Sequence, residues 1–355
     1  MQPNIIKRAD YKNILIVLLG ALGDVARGMS LVSPIKKNFP EARINWLVEP
    51  KSADLVKLHP QIDCVKVFRR DLGLTAFFET IHWLARQNFS ITLDLQRHFK
   101  SGIFSLASRA PLRLSFPRSQ SKEFNWLFNN REIPELPDNA PKIESYFLFL
   151  KELGVNFDPK QVDFGVSASC DPQLLSALLD WKIDDEPYLT ICLGSTWATK
   201  DWPLGGWSAL VKKLLDMKLG KIVLIGDKKQ ITTAEALLSA FGRNKELYSV
   251  VGKTDLKQLL TVIKYSRCLI SPDSGPGHLA AMVRVPVVSL FGPTSIERTA
   301  PYGFEKFAIK AEIACAPCYR RICPGLDNLC MRLIAPEKVA QKVSEALSSF
   351  SKIVI

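Results

Sequence analysis

Short unbroken apolar runs, each closed by a turn and followed by a helical stretch, recur down this chain in two series. The first run, residues 13–19, shows no polar alternation, as suits a parallel strand covered on both faces. Runs at 43–48, 63–68 and 90–95 follow, separated by helical stretches at 25–38, 52–58 and 72–87. The second series has runs at 188–193, 221–226, 248–251, 268–271 and 287–291, with helices predicted over 206–218, 230–241, 256–265 and 277–283. Strand and helix in alternation predict a doubly wound α/β domain, and a length of 355 residues suits two of them. The run at 287–291 is expected to close the second sheet. Residues 111–143 hold five prolines and read as an irregular excursion, before a helix at 143–153. Polar, turn-rich residues 154–172 read as the linker, giving domains at 1–165 and 166–355, with the last helix packing back on the first domain.

Three loops follow strands: 20–24, 194–201 and 273–278. Strand-end loops of two such domains would face a common cleft. The richest is Ser271-Pro-Asp-Ser-Gly-Pro-Gly-His-Leu-Ala280. Pro276 suits the first turn of a helix, where its missing N–H costs nothing. The helix terminus formed by Ser274, Gly275, Pro276 and Gly277 is then an anion site, with the helix dipole behind it. His278 either touches that anion or orients the loop. Lys200 sits where an ammonium can meet a diphosphate, with Ser195 and Thr196 as further donors; a solvated lysine is the plainer alternative. Asp227 ends a strand and reads as a ribose or adenine contact. No DxD-type metal motif stands in a suitable position.

Apolar content of 47% with 23% charged residues is that of a folded globular protein. No early segment reads as a signal peptide, and residues 14–19 are too few to span a bilayer, so the cytoplasm is expected. The net charge of +12 asks for an acidic partner or serves solubility alone. Basic clusters at Lys66, Arg69 and Arg70, at Arg97, His98 and Lys100, and at Arg109, Arg113, Arg118 and Lys122 all lie in the first half. No zinc-finger, RRM or homeodomain pattern accompanies them, so only charge speaks for nucleic acid. Cys64, Cys170, Cys192 and Cys268 stand isolated and read as inert core residues. Cys315, Cys318, Cys323 and Cys330 are close-spaced like a metal knuckle. A structural zinc or iron is one reading of them; a loop-shaping segment, with Arg320, Arg321 and Arg332 interleaved, is the other.

The ordered set of Leu19-Gly-Ala-Leu-Gly-Asp24-Val, Ile91-Thr-Leu-Asp-Leu-Gln96 followed by Lys100-Ser101, and Asp273-Ser-Gly-Pro-Gly-His278-Leu-Ala with Phe291-Gly-Pro-Thr294 resembles glycosyltransferase family 9. This family comprises the ADP-heptose:lipopolysaccharide heptosyltransferases of Gram-negative bacteria, and the resemblance runs from about residue 12 to 345. It implies a GT-B fold, two Rossmann-like domains facing each other across a cleft. The implied activity is inverting transfer of heptose from ADP-heptose to a hydroxyl of the lipopolysaccharide inner core, on a lipid A–Kdo–heptose acceptor. No cofactor or metal is implied for the transfer.

By the same resemblance Asp24 is the catalytic base, the alternative being a cap for a helix starting at Val25. Lys200 matches a donor-phosphate lysine and Asp273 a residue holding sugar hydroxyls. Asp227 stands where the heptosyltransferase I pattern has glutamate, which puts its role in doubt. The anionic acceptor is expected at Arg69, Arg70, Arg97 and Lys100. The clustered cysteines resemble the heptosyltransferase II branch. The expected protein is a monomer, peripheral at the cytoplasmic face of the inner membrane, with no nucleic-acid partner. A family 9 transferase using another nucleotide sugar is the nearest alternative, and a basic nucleic-acid-binding protein the distant one. A sugar 2-epimerase shares the fold type but not the early Gly-Asp loop.

Overall fold

The structure, a computed structural model, describes residues 11–179, 187–242 and 244–350. The expectation of no leader over residues 1–10 therefore lies outside the described residues. The chain divides into two compact units, Met1–Val166 and Ser167–Ile355.

The first unit holds a parallel sheet of six strands: β1 (Asn13–Val17), β2 (Arg43–Val48), β3 (Cys64–Val67), β4 (Ile91–Asp94), β5 (Leu112–Ser115) and β6 (Arg131–Glu132). Their order is β3-β2-β1-β4-β5-β6. Ile14, Leu15, Ile16 and Val17 are fully buried, as a strand covered on both faces requires. The irregular reading of 111–143 is corrected, since β5 and β6 both lie within it. They are four and two residues long, and the prolines stand in the loops around them, where no ladder N–H is needed. A helix at Phe99–Ala107 was also not foreseen. The first helix begins at Leu22 rather than Val25, running Leu22–Gly28, through a tight 3₁₀ turn at Met29–Leu31, into Val32–Asn38.

The second unit repeats the plan with β7 (Tyr188–Cys192), β8 (Lys221–Ile225), β9 (Leu247–Ser249), β10 (Leu269–Pro272), β11 (Val287–Phe291) and β12 (Ala308–Lys310). The order is β12-β11-β10-β7-β8-β9, again all parallel. β11 does not close this sheet. β12 pairs outside it, Ser289 opposite Ala308 and Phe291 opposite Lys310; Ala308-Ile309-Lys310 makes no unbroken apolar run, so pattern does not announce it. The final helix, Pro336–Phe350, packs on the helix Leu204–Asp216 and on β11 of its own unit.

Each sheet has one place where strand order reverses. In the first unit β1 lies between β2 and β4, with Ile14 opposite Ile91 and Val17 opposite Asp94. In the second β7 lies between β8 and β10, with Ile191 opposite Ile270. Ligands of doubly wound sheets bind beyond the carboxyl ends of the strands at such a switch point. The loops after β1 and β4, and those after β7 and β10, emerge side by side there.

Candidate active site

At the first switch point Gln96, just beyond β4, holds the turn after β1. Its Oε1 accepts from the backbone N–H of Leu19 and of Gly20, both at 3.0 Å. A Cβ on Gly20 would stand 3.2 Å from that oxygen, so a glycine keeps the approach open. Gln96 is fixed in turn by the buried Asp94. Asp94 Oδ1 accepts from Gln96 N–H at 3.1 Å, and Oδ2 accepts from Asn125 Nδ2 at 2.6 Å and Ser101 Oγ at 3.1 Å. Burial pushes the Asp94 carboxyl up despite these donors. Within residues 91–101 the sequence singled out Asp94, Gln96 and Ser101 only as part of a resemblance. In the fold their polar members brace the turn that leads to Asp24.

Asp24 is not a helix cap: the cap position is Ala21, and Asp24 lies in the first turn. Its Oδ1 accepts from the Arg27 guanidinium and, at 3.3 Å, from Lys142 Nζ. Burial alone would raise the Asp24 pKa. The two cations outweigh it and hold the carboxyl well below the usual carboxylate range. Sequence reading missed both partners. Arg27, three residues on along a helix, was open to discovery by the i,i+3 rule. Lys142, at the start of the helix Lys142–Glu152, is 118 residues away and carried no signal. One turn further along, buried Tyr146 has its hydroxyl pushed up by burial and by the Asp24 charge.

The expected acceptor residues follow the ends of β3 and β4. Arg69 and Arg70 are exposed, and Arg69 pairs with Asp71 at 2.9 Å. The Arg97 guanidinium lies 3.7 Å from the Phe116 ring centre. Lys100 Nζ lies 5.2 Å from that of Phe68, whose ring packs edge-on against Phe104. Phe68 thus joins the loop after β3 to the helix after β4.

At the second switch point the loop after β7 starts with Gly194, where a Cβ would fall 2.5 Å from Gln230 Nε2. Ser195 N–H donates to Asp201 Oδ1 at 2.7 Å, and Ser195 Oγ donates to the Trp197 carbonyl at 2.9 Å, so that hydroxyl shapes the turn. Lys200 is no solvated lysine: its side chain is 14% exposed. Its ammonium stands 2.7 Å from Asp273 Oδ2, which also accepts from Thr294 Oγ1 at 2.7 Å. It also lies 4.5 Å from the Trp197 ring centre.

Beyond β10 the helix Gly275–Met282 begins with Ser274 as its cap residue and Pro276 in its first turn. Ser274 Oγ meets Ser271 Oγ at 2.7 Å, and Gly277 and His278 are buried. Asp227 caps a short turn: Oδ1 accepts from Lys229 N–H at 2.7 Å, while Gln230 Oε1 accepts from Asp227 N–H at 3.1 Å. Lys229 and Gln230, with Ser195, Thr196 and Asp201, line a cavity of about 310 Å³. That volume falls at the lower end of the range for small-ligand pockets.

Cys315, Cys318, Cys323 and Cys330 line one small cavity with Thr199 and Pro293. Among the described residues no three His, Cys, Asp or Glu side chains are arranged to hold a metal ion. The segment does shape a loop. Thr199 Oγ1 donates to the Arg320 carbonyl at 2.9 Å, Asn328 Nδ2 donates to the Ala198 carbonyl at 3.3 Å, and Arg321 lies over Trp197. Of the isolated cysteines, Cys192 and Cys268 are core residues; Cys64 and Cys170 are only partly buried.

Comparison with known proteins agrees with this architecture. The sequence profile described as glycosyltransferase family 9 (heptosyltransferase) matches residues 77–327. The chain is 26% identical to the lipopolysaccharide core heptosyltransferase OpsX of Haemophilus influenzae, over 82% of each chain. Its fold matches E. coli ADP-heptose lps heptosyltransferase II with a TM-score of 0.74 at 19% identity, covering 96% of this chain and 99% of that one. It matches E. coli heptosyltransferase WaaC with ADP at 0.75 and 21% identity, covering 94% and 99%. These likenesses establish the GT-B, α/β fold.

Proposed function

We propose that this chain, which belongs to glycosyltransferase family 9, transfers heptose from ADP-heptose to a hydroxyl of the lipopolysaccharide inner core, with inversion at the anomeric carbon. The observation that carries the reading is the second switch point. There a buried ammonium, a helix N-terminus and a cavity of nucleoside size stand on neighbouring loops. Together they suit a nucleoside diphosphate. The relatives' heptosyltransferase names supply the sugar and the acceptor.

Inverting transfer needs a base for the acceptor proton and stabilisation of the departing diphosphate. On this reading Asp24 is the base. The diphosphate takes up Lys200 and the backbone around Ser274, Gly275 and Gly277, while Asp273 turns to the sugar hydroxyls. Ser195, Thr196, Asp227 and His278 belong to the donor side, and Arg69, Arg70, Arg97 and Lys100 to the acceptor side. The transfer requires no metal ion. The protein works as a monomer on the cytoplasmic face of the inner membrane.

The decisive experiment offers ADP-heptose and other nucleotide sugars with defined truncated lipopolysaccharide acceptors and reads the anomer formed. Turnover of ADP-heptose to the inverted product is expected. Transfer from a different donor alone would move the chain to the alternative within the family.

Asp24 as it stands is a weak base, since Arg27 and Lys142 share its Oδ1. An anionic acceptor that draws Lys142 away restores its basicity. Arg27 and Lys142 act on its charge, and its charge acts on the Tyr146 hydroxyl. Lys142→Met should raise the acceptor KM by about 10- to 100-fold, the scale of a charge-assisted hydrogen bond. It should also move the acid limb of kcat/KM to higher pH, because Asp24 loses a cation that favours its charged form. An unchanged acceptor KM together with an unchanged acid limb would remove Lys142 from this role.

A further inference from the structure

We propose that the first unit carries a docking face for the surface of an anionic lipid bilayer, formed by the segments that follow β3, β4 and β5. The inference deepens the proposed function, in which the acceptor is lipid-anchored, and rests on it for the reason why the enzyme must meet a bilayer.

Two observations converge on this face. The first is apolar exposure. Leu74 is 73% exposed, Phe78 62% and Phe124 68%, and Leu72, Phe99 and Leu127 are also exposed. Apolar side chains grouped in this way on a soluble surface mark an interaction site. The second is charge. Residues 66–128 carry ten lysines and arginines against four acids, half of the chain's net +12. The acids are engaged: Asp71 with Arg69, Glu79 with Lys66, Glu123 with His98 and the Phe99 N–H, and Asp94 inside the unit. Among the described residues Arg70, Lys100 and Lys122 have no acid within ion-pair distance.

The elements that carry these residues pack against one another. Leu74 and Phe78 are one turn apart on the helix Gly73–Ala85, which packs on the helix Phe99–Ala107 through Phe77 and Phe104, ring centres 5.4 Å apart. Lys100 over Phe68 ties the loop after β3 to the same helix. The 3₁₀ turn Asn125–Phe128 completes it, with Phe128 edge-on to Phe99 at 5.2 Å and Asn125 Nδ2 donating to the His98 carbonyl at 2.9 Å. Lys122 N–H donates to the Arg97 carbonyl at 2.8 Å.

Apolar side chains bordered by basic ones suit a membrane interface, where the former enter the acyl boundary and the latter meet lipid phosphates. No described helix is long and apolar enough to cross a membrane, so such a contact lies on the surface. Arg97 at the edge of this face follows Gln96, which holds the Gly20 turn that leads to Asp24.

Co-sedimentation of the full chain with vesicles tests this without reading transferase activity, so the docking face and the transfer reaction can fail separately. Binding is expected to vesicles of equal parts phosphatidylethanolamine and phosphatidylglycerol, not to phosphatidylcholine alone, and is expected to weaken as salt rises. Leu74→Glu/Phe78→Glu and, separately, Lys122→Glu should each weaken partition by about tenfold. Unchanged ADP affinity and thermal transition show that a variant is folded, and Leu74→Ser/Phe78→Ser is the milder form if the first is not. Failure of the wild-type chain to bind the anionic vesicles would overturn the proposal, as would folded variants that bind as tightly as wild type.

Discussion

Asp24→Asn is expected to lower kcat by at least about a hundredfold, the scale of losing a general base, with little change in donor KM. Asparagine keeps the shape and can still accept a hydrogen bond from Arg27, but it cannot take a proton. The charge it removes is the one that Arg27 and Lys142 both face. Circular dichroism and the thermal transition establish that the variant is folded, and single-turnover kinetics isolates the chemical step. Near-normal turnover in a folded variant would take the base role away from Asp24. The structure raises the stakes on this residue, because its surroundings favour the carboxylate and make it a poor proton acceptor unless one cation leaves.

The second large effect is expected on donor binding. Lys200→Ala should weaken ADP by about 1.5–3 kcal/mol, the scale of a charge-assisted hydrogen bond, or roughly 10- to 150-fold in Kd. It should also destabilise the fold, because Asp273 is only 7% exposed and loses its cation. The double variant Lys200→Ala/Asp273→Asn separates the two consequences. It removes the unpaired buried charge and so should recover stability, while ADP affinity stays low. Isothermal titration giving the wild-type Kd for Lys200→Ala would end the assignment.

Much of this was legible in the chain. Unbroken apolar runs announced most of the parallel strands, because a strand buried on both faces cannot alternate. Glycines at 20 and 194 open the loops after β1 and β7, and each stands against a glutamine side chain, a neighbour that no local pattern names. β5, β6 and β12 were not legible. Prolines at 111, 117 and 134 argued against any sheet around β5 and β6, and the three residues of β12, Ala308-Ile309-Lys310, make no unbroken apolar run. For Cys315 to Cys330 the spacing offered a metal knuckle or a loop-shaping segment, and the fold shows the segment bracing the loop of Lys200.

The sequence by itself determined the fold class, the two series of strands and the loops that carry polar chemistry, since all of these follow from local periodicity and turn residues. Tertiary structure alone decided which groups act together. Lys142 reaches Asp24 across 118 residues, Gln96 holds Gly20 across 76, and Lys200 meets Asp273 across 73. Two of these three pairs arise because strand order reverses beside β1 and beside β7, bringing together loops remote along the chain. No local pattern encodes that adjacency, because it belongs to the order of the sheet and not to any one strand.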